Sequence, residues 1–432
     1  MISSLIQISV HLLLAVGSVS GFRQPPRKGV YGSTPPKFNE STPIPNHYIV
    51  QYRDTIAAGD RHRHEADIHT SASKSGLYRG VMKKINIGPF SGYQVELDAE
   101  DVKLLNATGL VKSIVPDARI HILSPLHRHE VRDIQQLTNI RTVQTATWGQ
   151  SRISHRHTAA TNFIYEDAPA STIYAIDTGI MVSHWQFSSP SGGPQRAVWG
   201  ANFVNDLDED EMGHGTHVAG TMVGRTLGVA PGARVVALKV FDANGGTWSG
   251  VLSAIEFAVR DAESRNASSR SVINMSLGGG FFSTINDAIT AATTRGVTVV
   301  VAAGNENQDA ANVSPASCPD AITVGAINGF DKKTEWSNWG TGLDVFAPGD
   351  EIQSAWPGES GNETNSLSGT SMASPHVAGL VAYFMQVYGP HTPAQVKQRI
   401  DDFATPDMVK EAGEGSPNRI AFNGNGNELR QA

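Results

Sequence analysis

Three polar side chains lie where apolar runs give way to glycine-rich turns. Asp177 ends the run TIYAID, His214 opens HGTHVAG, and Ser371 sits inside LSGTSMASPHVAG. A hydroxyl, an imidazole and a carboxylate are the parts of a nucleophile, its base and the group that orients the base. Each residue also has a plainer reading by itself. Asp-Thr-Gly is a common helix cap. His214 and His217, one helical turn apart, could pack in a core or share a metal, but no further ligand stands at suitable spacing. Ser371 could be a capping residue, and Pro375 after it reads as a first-turn proline.

The elements around these residues favour the chemical reading. TIYAID, RVVALKVF, SVINMSL, VTVVVAAG and AITVGAI read as buried strands. SGVLSAIEFAVRDAESR, STINDAITAATTRG and SMASPHVAGLVAYFMQVYG read as helices between or after them. That alternation predicts an α/β domain with a mostly parallel sheet and helices on both faces. Functional groups gather at the carboxyl ends of such strands. Asp177, His214 and Ser371 all fall at element boundaries, in the order Asp, His, Ser. That is one of the three chain orders in which a hydrolytic triad occurs. No G-x-S-x-G elbow is present, which argues against a small-molecule esterase of the α/β-hydrolase type.

Four blocks in this order carry a resemblance: DTG at 177–179, HGTHVAG at 214–220, AAGN at 302–305 and GTSMASPHVAG at 369–379. Residues 144–432 resemble the subtilisin-like serine proteases, in their proteinase K branch. The resemblance implies a three-layer subtilisin-like fold and a triad of Asp177, His214 and Ser371. It implies Asn305 as a donor of the oxyanion hole and His217 as a packing residue. It places Ser276, Leu277 and Gly278 on one wall of the primary specificity pocket and Ala302, Ala303 and Gly304 on the other. Gly245 and Gly246 would form the second substrate edge, with Trp248 lining the pocket for the fourth residue before the cut. With no acidic residue in those wall segments, apolar or aromatic side chains are expected at the cleaved position. A structural calcium is implied on Asp344 and the carbonyls of Pro319 and Ala321; catalysis needs no cofactor. A catalytically dead homologue that only binds peptides is the alternative, and every matched position argues against it.

The N-terminal third organises differently. MISSLIQISVHLLLAVGSVS (1–20) reads as a signal peptide, and 21–43, rich in proline and glycine, as a linker. Residues 44–124 hold HYIVQY and YQVELD as strands, AEDVKLLNATG as a helix ended by Gly109, and IVPDARIHI as a closing strand. This small α+β unit resembles the family's inhibitory prodomain, which would act as an intramolecular inhibitor. A processing linker (125–143) then contains the maturation cut, ahead of WGQSRIS, which resembles a mature N-terminus.

The resemblance implies a secreted monomer acting on proteins or peptides, and composition bounds the other partners. A net charge of −7 with no long basic run argues against nucleic acid as partner. Beyond residues 1–20 no stretch of about 18 apolar residues predicts a membrane span. The single cysteine, Cys318, excludes an internal disulfide. Sequons at Asn39, Asn106, Asn266, Asn274, Asn312 and Asn362 are possible glycan sites, Asn274 least because it falls in an expected buried strand. Nine of the fifteen histidines lie between His47 and His157, with His-Arg-His at 62–64, 127–129 and 155–157. They read as a solvated basic surface, with pH sensing as the sharper idea. The acidic run DLDEDEMG before His214 reads as a solvated loop.

Overall fold

The computed structural model describes residues 41–54, 56–72, 81–122, 142–165, 171–189 and 192–424. The segment read as a signal peptide, the linker before residue 41 and most of the processing linker lie outside them. Among the described residues no helix is long and apolar enough to cross a membrane.

The core of the larger part is a nine-stranded sheet. Seven parallel strands run in the spatial order Ala197–Asn202, Arg234–Lys239, Thr172–Asp177, Ser271–Met275, Thr298–Ala302, Ile322–Ile327 and Val345–Pro348. Arg419–Ile420 extends the sheet in parallel, and Thr405–Pro406 pairs antiparallel at that edge. The strands are rich in Val and Ile because both faces are covered. Alternation is visible in Thr172–Asp177. Ile173 and Ala175 point into one apolar cluster with Val218, Met222, Val377 and Leu380. Tyr174 and Ile176 point into another with Val251, Ile255, Ile285 and Ile289. The first cluster belongs to helices His214–Val223 and Thr370–Val387; the second belongs to Trp248–Ser264 and Ser283–Thr294.

Chain order reverses beside Thr172–Asp177. The next two strands lie on one side of it, while Ser271–Met275 and its successors lie on the other. The crevice at such a switch point is where an open α/β sheet binds ligands.

The smaller part follows β-α-β-β-α-β, with strands Thr42–Tyr52, Val81–Ile87, Phe90–Glu96 and Val111–Ile122 and helices Ala58–Ala72 and Ala99–Ala107. Its antiparallel sheet has Val111–Ile122 at one edge, then Thr42–Tyr52, Phe90–Glu96 and Val81–Ile87. This is the split βαβ arrangement. Gly109, at φ +70°, follows the second helix as expected. Helix Ala58–Ala72 was not legible: it is polar almost throughout, and His62 and Arg63 are exposed. His64 on the same helix is buried and hydrogen-bonds Tyr93 Oη at 2.8 Å, so this His-Arg-His is not wholly a solvated surface. The copy at 127–129 lies outside the described residues.

One face of this small sheet packs its own helices through Val50, Tyr52, Tyr93, Val95, Ile68 and Leu105. Its other face, with Ile49, Ile85, Ile87, Phe90 and Ile120, joins the cluster of helices Trp248–Ser264 and Ser283–Thr294. Both faces are therefore buried.

Candidate active site

Asp177, at the end of its strand, and His214, first residue of its helix, are both buried, and Asp177 Oδ1 lies 2.8 Å from His214 Nδ1. The Thr178 backbone N–H also donates to Asp177 Oδ1, at 2.8 Å. A carboxylate so placed fixes the ring and selects the tautomer whose Nε2 carries no proton and can act as a base. Nε2 is buried and makes no hydrogen bond.

The glycines flanking His214 work through the backbone. Gly213 takes φ +83° at the helix start, against the Trp356 ring. A Cβ on Gly215 would overlap the Gly179 carbonyl oxygen. The histidine helix therefore approaches the aspartate strand end more closely than any other residue would allow. The Gly215 N–H donates to Thr178 Oγ1 at 2.8 Å, a second tie between the two elements.

Asp210, which sequence reading had merged into a solvated loop, is buried and holds this helix start. Its Oδ1 accepts from Gly213 N (2.8 Å) and Thr178 Oγ1 (2.7 Å). Its Oδ2 accepts from Thr216 N (2.8 Å) and Thr216 Oγ1 (2.6 Å). Buried Lys239 pins the rest of the acidic run through the carbonyls of Leu207 (3.0 Å) and Glu209 (2.8 Å) and through Glu211 Oε2 (2.8 Å). The run is a built element. The only hint in the sequence was an acid three residues before the glycine that caps the helix.

His217 is buried, and its Nε2–H is shared between the Ile352 (2.9 Å) and Asn365 (3.1 Å) carbonyls. Burial, with His214 nearby, pushes its pKa down to about 3, so it is neutral.

Ser371 is the second residue of helix Thr370–Val387 and fully buried. Its Oγ donates to the Ser276 carbonyl at 3.3 Å. Pro375 is the sixth residue of the helix, not a first-turn proline as the sequence reading had it. Proline there supplies no N–H to the Ser371 carbonyl. Ser276 Oγ supplies the missing donor, at 2.9 Å. Asn274 Nδ2 in turn donates to Ser276 Oγ (3.1 Å), and Ser374 Oγ donates to Asn274 Oδ1 (2.8 Å). Asn274 is fully buried in this network, which excludes it as a glycan site in the folded chain; Asn106, Asn266, Asn312 and Asn362 are exposed.

Asn305 stands beside the serine helix. Its Oδ1 accepts from Thr370 N (2.9 Å) and Thr370 Oγ1 (2.8 Å), while its Nδ2 is buried and makes no hydrogen bond. A fixed amide with an unused N–H beside a serine at a helix N-terminus suits a developing oxyanion.

The two expected substrate edges are both occupied by this chain itself. Strand Val111–Ile122 pairs antiparallel with Gly245–Thr247, with Ile120 opposite Gly246 and Arg119 opposite Thr247. The same strand pairs antiparallel with Leu277–Gly280, with His121 opposite Gly278 and Ile122 opposite Leu277. Trp248 is fully buried, stacks on Phe282 at a centroid distance of 5.4 Å and shares a cluster with Ile120. Ala302 and Ala303 are buried at and just beyond the end of strand Thr298–Ala302, and Gly304 follows with φ +103°. The wall segments hold no acid, but Glu306, just outside them, lies against Gly304. Its Oε2 accepts from Asn338 Nδ2 at 2.7 Å, its Oε1 is buried without a hydrogen bond, and burial pushes its pKa up.

The remaining expected group, Asp344 with Pro319 and Ala321, lies away from this crevice. Its three oxygens converge on the ammonium of Lys397.

Comparison with known proteins agrees with the geometry. The subtilase family model matches residues 170–424. Subtilisin-like protease 2 of Pseudogymnoascus destructans is 41% identical over 384 residues, 88% of this chain and 89% of that protein. The alkaline proteinase of Hapsidospora chrysogena is 41% identical over 387 residues, 89% of this chain and 93% of that one. A cuticle-degrading serine protease of Arthrobotrys oligospora is 47% identical over 308 residues, 69% of this chain and 74% of that one. The crystal structure of a cold-adapted subtilisin-like serine proteinase superposes with a TM-score of 0.59 at 39% identity, over 65% of this chain and 98% of that one.

Proposed function

The chain belongs to the subtilase family of serine proteases, and from that footing we propose that it is a secreted, monomeric endopeptidase made as a self-inhibited precursor. Two observations support this reading together: the buried Asp177–His214 pair and the Asn305–Thr370 clamp next to Ser371, in a chain whose strand Val111–Ile122 fills both expected substrate edges. Residues 1–20 would direct secretion and be removed.

In the mechanism, Ser371 Oγ leaves the Ser276 carbonyl, attacks the scissile carbonyl and gives its proton to His214 Nε2. The imidazolium so formed is stabilised by Asp177, which already holds Nδ1. Asn305 Nδ2 and the Ser371 backbone N–H receive the tetrahedral oxygen. His214 then protonates the leaving amine. Water hydrolyses the acyl-enzyme by the same route in reverse. The substrate adds as a strand between Gly245–Thr247 and Leu277–Gly280, as Val111–Ile122 does here. Wall segments without an acidic residue favour apolar or aromatic side chains at the cleaved position.

The test is labelling of the secreted protein with a fluorophosphonate probe beside Ser371→Ala. Labelling of the first alone identifies the nucleophile, and the labelled mass gives the maturation cut. A fully trimmed chain that takes no label overturns the proposal and leaves a peptide-binding homologue.

A further inference from the structure

The family resemblance implies calcium on Asp344 and the carbonyls of Pro319 and Ala321, and these oxygens do converge. What they converge on is Lys397, from helix Pro393–Phe403. Its Nζ lies 2.9 Å from the Pro319 carbonyl, 2.9 Å from the Ala321 carbonyl and 2.9 Å from Asp344 Oδ1. An ammonium carries three donors, and here each has one oxygen. The other carboxylate oxygen, Asp344 Oδ2, accepts from Thr323 N at 2.8 Å.

This arrangement does not fit a resident calcium ion. Calcium takes six to eight oxygens at about 2.3–2.6 Å. Here three protein oxygens surround a cation that the chain already provides. A second cation among them would face the ammonium across a few ångströms of partly buried space. Calcium could enter only if Lys397 withdrew.

We propose that Lys397 is the built-in cation of this site and takes over the structural work of a metal. Pro319 and Ala321 lead into strand Ile322–Ile327, and Asp344 leads into Val345–Pro348, its parallel neighbour. The ammonium therefore ties the starts of two adjacent core strands to helix Pro393–Phe403. A covalently attached cation needs no ion from solution, so chelators cannot remove it.

The test uses the full-length chain carrying Ser371→Ala to prevent self-digestion, stripped with EGTA. Calcium titration by calorimetry compares this parent with Asp344→Asn, and the two are expected to bind the same number of ions. Lys397→Ala is expected to melt several degrees lower in EGTA, to recover with millimolar calcium, and to bind one ion more than the parent. Adding Asp344→Asn to Lys397→Ala should abolish that extra ion. A calcium ion bound by the parent and lost with Asp344→Asn overturns the proposal. So does a Lys397→Ala chain that melts with the parent in EGTA. Should Lys397→Ala fail to fold, the comparison of parent with Asp344→Asn decides alone.

Discussion

Asn305 is clamped to Thr370 by two hydrogen bonds into a single oxygen, from the backbone N–H at 2.9 Å and from the hydroxyl at 2.8 Å. The clamp fixes which end of the amide faces the crevice. Thr370 Oγ1 also accepts from Gly304 N at 3.1 Å, so one hydroxyl registers the asparagine, Gly304 and the serine helix together. Asn305→Leu should lower kcat about 10²–10³-fold with little change in KM, the range found when a subtilisin loses this type of donor. Thr370→Val keeps the backbone bond and loses the hydroxyl, at about 1 kcal/mol. It should lower kcat several-fold. Steady-state kinetics on a peptide substrate separates the two, and a KM effect without a kcat effect would refute the assignment.

Asp210 gathers the start of the His214 helix and Thr178 onto one buried carboxylate. Asp210→Ala strands those donors without partners, and should cost about 2–4 kcal/mol of stability. Asp210→Asn keeps one oxygen and should recover part of the loss. Urea unfolding of both variants in a Ser371→Ala background reads this directly. Parity of Asp210→Ala with its parent would rule out the capping role.

Acid should destabilise the fold through His217 and His376. Burial holds their pKa values near 3 and 4, against an ordinary 6.5. The unfolded chain therefore binds protons below pH 6.5 that the folded chain refuses. Stability from these groups is complete above that pH and falls as pH drops, by about 1.4 kcal/mol per unit for each histidine. His217→Gln can still donate to the Ile352 and Asn365 carbonyls but cannot titrate. Guanidinium unfolding at pH 7.5 and pH 5 should show a shallower loss for this variant, and identical slopes would dismiss the effect.

Asp117 joins the small unit to the large one. Its carboxylate accepts from Gln94 Nε2 (3.2 Å) within the small sheet and from Ser249 N (3.2 Å) in the first turn of helix Trp248–Ser264. An acid at a helix N-terminus is favourable by about 0.3–1 kcal/mol before its hydrogen bonds are counted. Asp117→Ala should loosen the docked strand, so that fluorophosphonate-reactive enzyme appears sooner after secretion. An unchanged lag would mean that the strand pairing alone holds the unit in place.

Legibility in the sequence followed how local each signal was. The parallel sheet could be read because each strand is a short Val/Ile run between turn residues, as in TVVVA before Ala303. The serine, histidine and aspartate blocks could be read because each is a contiguous string. Helix Ala58–Ala72 could not, since its buried contacts rest on His64 and Ile68 within an otherwise polar stretch. Asp210 was hidden among neighbouring acids, and nothing local separates the one that turns inward. Lys397 lies 53 positions after Asp344 in an amphipathic helix, where a lysine ordinarily means solvent. Only the tertiary fold brings it to the three oxygens.

Strand Val111–Ile122 crosses the crevice as part of an eight-stranded sheet that begins in the small unit and ends in the large one. While the chain is continuous, that strand meets its two edges at an effective concentration on the order of millimolar, whatever the dilution of the protein. One cut in the connection changes the order of the reaction. Return of the strand then depends on how much fragment remains in solution, and falls as the fragment spreads or is digested. Under the proposed maturation the same pairing is unimolecular before the cut and bimolecular after it, so dilution alone would favour release of the strand.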